Sequence, residues 1–173
     1  MANQKSRFAA LGAAVVIIAG CVTWYFASPV WTLHQMKAAA DASDADALNS
    51  YIDYPALRED LKAEITARIL ADARKDKSGF AGLGAAIGTA LAIDGLVSPA
   101  GMRTALIAKR DGAPSNTVTG AVSALHIPEN SMIVRRGFSE FLVATKQQPN
   151  NGLVFRRHGL AWKLSGVELP PNT

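Results

Sequence analysis

Residues Phe8–Ala27, FAALGAAVVIIAGCVTWYFA, run for twenty positions without a charged side chain. As a helix rising 1.5 Å per residue, such a run is about 30 Å long, which matches the hydrocarbon thickness of a bilayer. Lys5 and Arg7 stand just before it and Ser28-Pro29 closes it. Basic residues on the short leading side hold that side in the cytoplasm, so the rest of the chain is expected to be exported. The expected divisions are a cytoplasmic basic start (1–7), a transmembrane signal anchor (8–27), the helical half of one soluble domain (28–109), a loop (110–119), the sheet half of the same domain (120–169) and a tail (170–173).

Cys21 is the only cysteine. It forms no intramolecular disulfide, so packing alone must hold the fold even in an oxidising compartment. Ile18-Ala19-Gly20-Cys21 also fits the box at which bacterial lipoproteins are cleaved and acylated. Val22–Ala27 stays apolar after the cysteine, however, where a lipoprotein opens into a polar tether. Trp24 and Tyr25 lie where an aromatic belt meets the far interface. An uncleaved anchor is therefore preferred, a lipoprotein acylated at Cys21 is the alternative, and an ordinary cleaved signal comes third.

Beyond the leader roughly 145 residues remain, enough for one domain with a real core. The formal charge of +4 is unevenly spread: residues 41–77 carry nine acids and six bases, and residues 109–173 carry eight bases and four acids. The basic block could face anionic lipid headgroups or an acidic partner. An exported address argues against nucleic acid.

Ser28-Pro29 reads as a helix restart, with Ser28 as N-cap and Pro29 at the first helical position; the new helix could continue almost coaxially from the anchor. Ser43-Asp44-Ala45-Asp46 resembles a capping box before a short helix ending near Asp53. Asp53 caps the next helix, Pro55 sits in its first turn, and Leu57, Leu61, Ile65 and Ile69 form its apolar stripe, with Glu64 and Arg68 paired at i,i+4. Phe80–Ile93 is uncharged but too short to span a bilayer comfortably, and suits a buried or interfacial helix. Its glycines do not make a dinucleotide fingerprint, because Ile87 stands where the third glycine of G-x-G-x-x-G belongs. Ser98-Pro99 caps a helix over Ala100–Lys109, with Met102, Leu106 and Ala105 inward.

After residues 110–119 the period moves towards two. Strands are expected at Met132–Arg135, Phe138–Lys146, Leu153–Arg157 and Leu160–Leu169. Asn150-Asn151-Gly152 is expected to form a type I′ hairpin turn, and Leu160, Trp162 and Leu164 to share one face. The fold class is α+β: an N-terminal transmembrane helix, then a helical half packed on a C-terminal antiparallel sheet.

Several stretches together resemble a known family: Tyr51-Ile52-Asp53-Tyr54-Pro55-Ala56-Leu57-Arg58, Ser98-Pro99-Ala100-Gly101, and Arg156-Arg157-His158-Gly159-Leu160-Ala161-Trp162-Lys163-Leu164. With the alanine-rich Lys37–Asp46 and an anchor ending in Ala-Ser-Pro, they are similar to domain-of-unknown-function family 2939 of Gram-negative, membrane-anchored envelope proteins. The resemblance implies a single-pass inner-membrane protein with its C-terminal domain in the periplasm, and it implies no activity. Helices followed by a sheet ending in Gly-x-x-Trp-Lys are more loosely similar to the cone-like, nuclear-transport-factor-like superfamily. Its members hold small ligands between helix and sheet, and that likeness is one of fold alone.

The search for chemistry yields little. His34, His126 and His158 are scattered and lack metal-ligand spacing, and no serine-nucleophile motif occurs, so no catalytic, metal or cofactor site is expected. Asp53, Tyr54 and Arg58 are the candidate contact for a ligand or partner, by projection from a helix start towards a polar headgroup; capping alone also explains them. Arg135-Arg136 and Arg156-Arg157 could join Phe138, Phe155 and Trp162 in a basic, aromatic face. Strand alternation splits each pair, so at most half of these arginines can converge. The expected function is a non-enzymatic module that contacts lipid through its N-terminal helix and an envelope protein or lipid through its domain. The alternative is a carrier or sensor of a small apolar ligand in a helix–sheet cavity.

Overall fold

The uncharged run is helical, and the helix does not stop where it ends. In the computed structural model, which describes residues 2–75, 88, 92–110 and 131–168, α1 spans Ala2–Asp41 with Pro29 inside it. The helix divides by environment instead. Residues 12–27 are exposed apart from a half-buried Tyr25, with Val16 at 71% and Ile17 at 65%. From Ser28 onward a stripe of Ser28, Pro29, Thr32, Met36 and Ala39 is buried at a spacing of three to four, the period of one helix face. The expectation of a restart capped by Ser28 is thus corrected: a proline is tolerated here because other groups serve the backbone it leaves bare.

Ser43 ends α1 in the left-handed region (φ 54°). Asp44 N donates to Ala39 O and Ser43 N to Ala40 O, the paired closure of a Schellman motif. Ser43 is occupied by that ending, so the N-cap of α2 (Ala45–Ser50) falls one residue later, where Asp44 accepts from Ala47 N. Residues 51–53 then run beside the sheet, with Asp53 N donating to Leu164 O and Leu164 N to Tyr51 O. Asp53 caps α3 (Tyr54–Lys75) through Ala56 N at 3.2 Å. Of its stripe, Leu57 is buried and Leu61, Ile65 and Ile69 are half-buried, and Glu64 meets Arg68 at 3.2 Å. Residues 92–96 are helical (α4), and α5 (Pro99–Arg110) follows with Ser98 Oγ accepting from Gly101 N at 3.0 Å. Met102, Ala105 and Leu106 are buried, as the spacing requires. The remainder of Phe80–Ile93, apart from 88 and 92–93, and the 110–119 loop beyond Arg110 lie outside the described residues.

Four strands, β1 (Ser131–Arg135), β2 (Glu140–Thr145), β3 (Gln148–His158) and β4 (Ala161–Glu168), form an antiparallel meander in the order β1-β2-β3-β4. The Asn-Gly turn is not where the local signal put it. The chain reverses at residues 146–147, and Asn150–Gly152 lies within β3 beside a register shift opposite Ala144 and Thr145. Gly152 is needed for another reason: a Cβ there would sit 2.0 Å from the Val143 carbonyl oxygen. Leu160 is likewise in a turn and 80% exposed, while Trp162 and Leu164 point into the core. That core unites Met36, Leu48, Ile52, Leu57 and Leu106 from the helices with Phe141, Val143, Phe155, Trp162 and Leu164 from the sheet. Phe141 and Phe155, cross-strand partners, stack at 4.9 Å, and Trp162 meets Phe141 edge-on.

The other face of the sheet buries Leu142, Ala144 and Val154. Arg136, just beyond β1, pairs through both guanidinium nitrogens with the carboxylate of Glu168 at the end of β4. These are opposite corners: Glu168 is level with Met132, so in a flat four-stranded sheet the two residues would lie about 14 Å apart across the strands and roughly 13 Å apart along them. The sheet must therefore curl to close that pair, whose hydrogen bonds raise the Arg136 pKa still further above its usual range.

Candidate functional site

The features that stand out meet where α1 leaves the sheet. Pro29 offers no N–H to the carbonyl of Tyr25, four residues earlier. Two side chains supply it: Ser28 Oγ donates to Tyr25 O at 3.1 Å and Arg135 Nη2 donates to it at 3.2 Å. The same Nη2 donates to Phe26 O at 3.2 Å. Ser28 Oγ accepts from the indole Nε1 of Trp162 at 2.9 Å, a contact bridging 134 positions of sequence. Thr32 Oγ1 donates back to Ser28 O at 3.0 Å. A backbone defect created by one residue is thereby repaired by β1 and β4, which fixes the helix to the sheet.

Around this clamp, Tyr25 collects cations. The guanidinium carbon of Arg135 lies 4.8 Å from its ring centroid and that of Arg157 lies 5.3 Å away, within the range of cation–π attraction. Tyr25 Oη donates to Phe138 O at 3.0 Å. An open groove of about 400 Å³, lined by Phe26, Pro29, Val30, Ile133 and Arg135, runs beside the clamp. Alternation divides the two arginine pairs between different partners. Arg135 and Arg157 turn to Tyr25, whereas Arg136 meets Glu168 and Arg156 meets Glu140 at 3.0 Å.

The Asp53, Tyr54 and Arg58 side chains turn to different partners. The Asp53 carboxylate caps α3 and lies 3.0 Å from His158 Nε2. Tyr54 Oη bonds the Asn49 side chain, and Arg58 Nε donates to Tyr54 O at 3.2 Å. Tyr54 is 8% exposed, and burial pushes its phenol up to about 12. Cys21 is exposed within the bare half of α1. Among the described residues no group of three or more His, Cys, Asp or Glu side chains could hold a metal ion. Sequence reasoning missed the Tyr25 cluster. The signal available was Pro29 itself, since a proline carried inside a helix leaves a carbonyl in need of a donor.

These features define an α+β protein whose N-terminal apolar helix is compatible with a single-pass membrane anchor. The model of the family described as "Protein of unknown function (DUF2939)" matches residues 18–105, just over half of the chain, and the chain belongs to that family. No curated protein and no solved structure matches it.

Proposed function

We propose that this is a single-pass envelope protein whose helix α1 lies in the inner membrane and whose α+β domain stands on the periplasmic side, fixed at the membrane surface, where it acts by contact with lipid or protein rather than by catalysis. One observation carries this reading. Residues 12–22 of α1 bear Val15, Val16, Ile17, Ile18 and Val22 at 49–71% exposure, a helix segment apolar all round and exposed at every position. Burying such a surface stabilises by roughly 25 cal/mol per Å², so it requires an apolar medium. Lys5 and Arg7 favour the cytoplasm for its start. The non-enzymatic assignment is supported by the engagement of Asp53 in a helix cap.

Alkaline carbonate extraction of membranes tests the anchor, and a phosphatase reporter that folds only outside the cytoplasm, fused after Thr173, tests the orientation. The chain should stay in the pellet and the reporter should be active. A carbonate-soluble chain or a silent reporter would overturn the reading. The carrier alternative stands second because, where it is described, the space between helices and sheet is filled by Phe141, Phe155, Trp162 and Leu164, each at most 1% exposed.

A further inference from the structure

The turns at 136–139 and 159–160 lie at one end of the sheet, because both follow strands that run in the same direction, β1 and β3. Each carries a large apolar side chain in the open: Phe138 at 85% and Leu160 at 80%, above the 71% of Val16 in the bare helix. Exposed apolar residues scattered singly are ordinary; here the two share one end of the sheet, and one of them lies against the apolar helix. The level of Phe138 along α1 is fixed by Tyr25, whose hydroxyl reaches Phe138 O and whose ring centroid is 6.2 Å from that of Phe138. Tyr25 lies two residues, about 3 Å, from the end of the uncharged run, and helical side chains lean towards the helix N-terminus. Phe138 is therefore level with the apolar run rather than beyond it.

The four arginines at this end of the sheet fall into two kinds. Arg136 and Arg156 are neutralised by Glu168 and Glu140. Among the described residues Arg135 and Arg157 have no carboxylate partner, although both guanidinium groups sit within 5.3 Å of one ring centroid. Arg135 Nη1 is buried and has no hydrogen-bond partner. Arg135 spends its Nη2 on the Tyr25 and Phe26 carbonyls and its Nη1 is buried, so the guanidinium left to meet a phosphate is that of Arg157, bonded among the described residues only through Nε to Gly159 O; the apolar lining of the adjacent groove, Phe26, Val30 and Ile133, suits the start of an acyl chain.

We infer that this end of the sheet is a second membrane contact: Phe138 and Leu160 enter the boundary between headgroups and acyl chains, and Arg157 holds the phosphate of an anionic lipid beside Tyr25. The inference rests on the anchor reading above and adds the site and the lipid class. It is tested with the full chain carrying Cys21→Ser, reconstituted in phosphatidylcholine vesicles with and without phosphatidylglycerol. An environment-sensitive dye is placed in turn at Phe138→Cys, Leu160→Cys and, at the opposite end of the sheet, Gln147→Cys. Dyes at 138 and 160 should be blue-shifted and shielded from aqueous iodide, while the dye at 147 stays open to it. Spin-labelled phosphatidylglycerol should be preferred over phosphatidylcholine, and Arg157→Gln, which leaves the Ser28–Trp162–Arg135 clamp intact, should reduce that preference roughly three- to tenfold. Equal quenching at all three positions in a chain that still resists carbonate would overturn this inference and leave the anchor standing, whereas release by carbonate would remove both. Binding of inorganic phosphate to the detergent-solubilised chain, lost in Arg157→Gln while the turns remain aqueous in vesicles, would make this a free-anion site and also overturn the proposal.

Discussion

If Arg135 is held at α1 because Pro29 leaves the Tyr25 carbonyl bare, the energies of the two residues must be coupled. Arg135→Met removes two charge-assisted hydrogen bonds, both at 3.2 Å, and the cation–π contacts to Tyr25 and Phe26. Both bonds come from the single Nη2, both are long and Arg135 is half-buried, so together they count as one charge-assisted bond at the low end of its range: about 1.5 kcal/mol, with about 0.5–1 for the rings, about 2 in all. Pro29→Ala restores the amide that reaches Tyr25 O, and one of the Arg135 bonds becomes redundant. In that background Arg135→Met should cost only about 1 kcal/mol, a coupling of about 1 kcal/mol in the double-mutant cycle. Urea unfolding of the full chain in detergent, followed by circular dichroism of the sheet, measures all four proteins; the slopes must agree for the midpoints to be compared. A cost of Arg135→Met that is the same, within about 0.5 kcal/mol, in both backgrounds would refute the account of the clamp.

Two further outcomes follow from the structure. Gly152→Ala drives a Cβ to 2.0 Å from the Val143 carbonyl oxygen, so β2 and β3 must part locally; a loss of about 3 kcal/mol or more is expected, seen as a lowered thermal midpoint and faster amide exchange at Leu153 and Val154. Tyr54 binds its proton more tightly when folded, so the stability it contributes is complete below its ordinary value of 10.0 and is lost as pH rises through about 12. Between those values the wild type should lose up to about 2–3 kcal/mol relative to Tyr54→Phe, and parallel pH profiles for the two would contradict this.

The parts of the fold that were legible rest on chemistry confined to a few neighbouring residues. Ser98-Pro99 and Asp53 declare helix starts because a cap and the amide it serves are two or three positions apart. Trp162 and Leu164, two apart on a strand, share a face by geometry alone, and the same alternation already divides each arginine pair. What was misread required partners distant in sequence. Pro29 ends helices in isolation, but here Arg135, more than a hundred residues away, supplies what the helix lacks. Asn151-Gly152 is a strong turn signal, but the approach of the Val143 carbonyl already requires that glycine inside a strand. The cluster around Tyr25 was hidden for the same reason, since Arg135, Phe138 and Arg157 reach it only once the sheet has formed.

The unbroken course of α1 through Pro29 makes the protein a shaft rather than a bead on a string. Successive residues turn by about 100°, so inserting a single alanine between Cys21 and Tyr25 would rotate the bare half by that angle against the clamped half. The sidedness of Trp24 and Phe26 with respect to the sheet is consequently set by register, and a partner helix in the bilayer that recognised one side of the shaft would meet the domain in one orientation only.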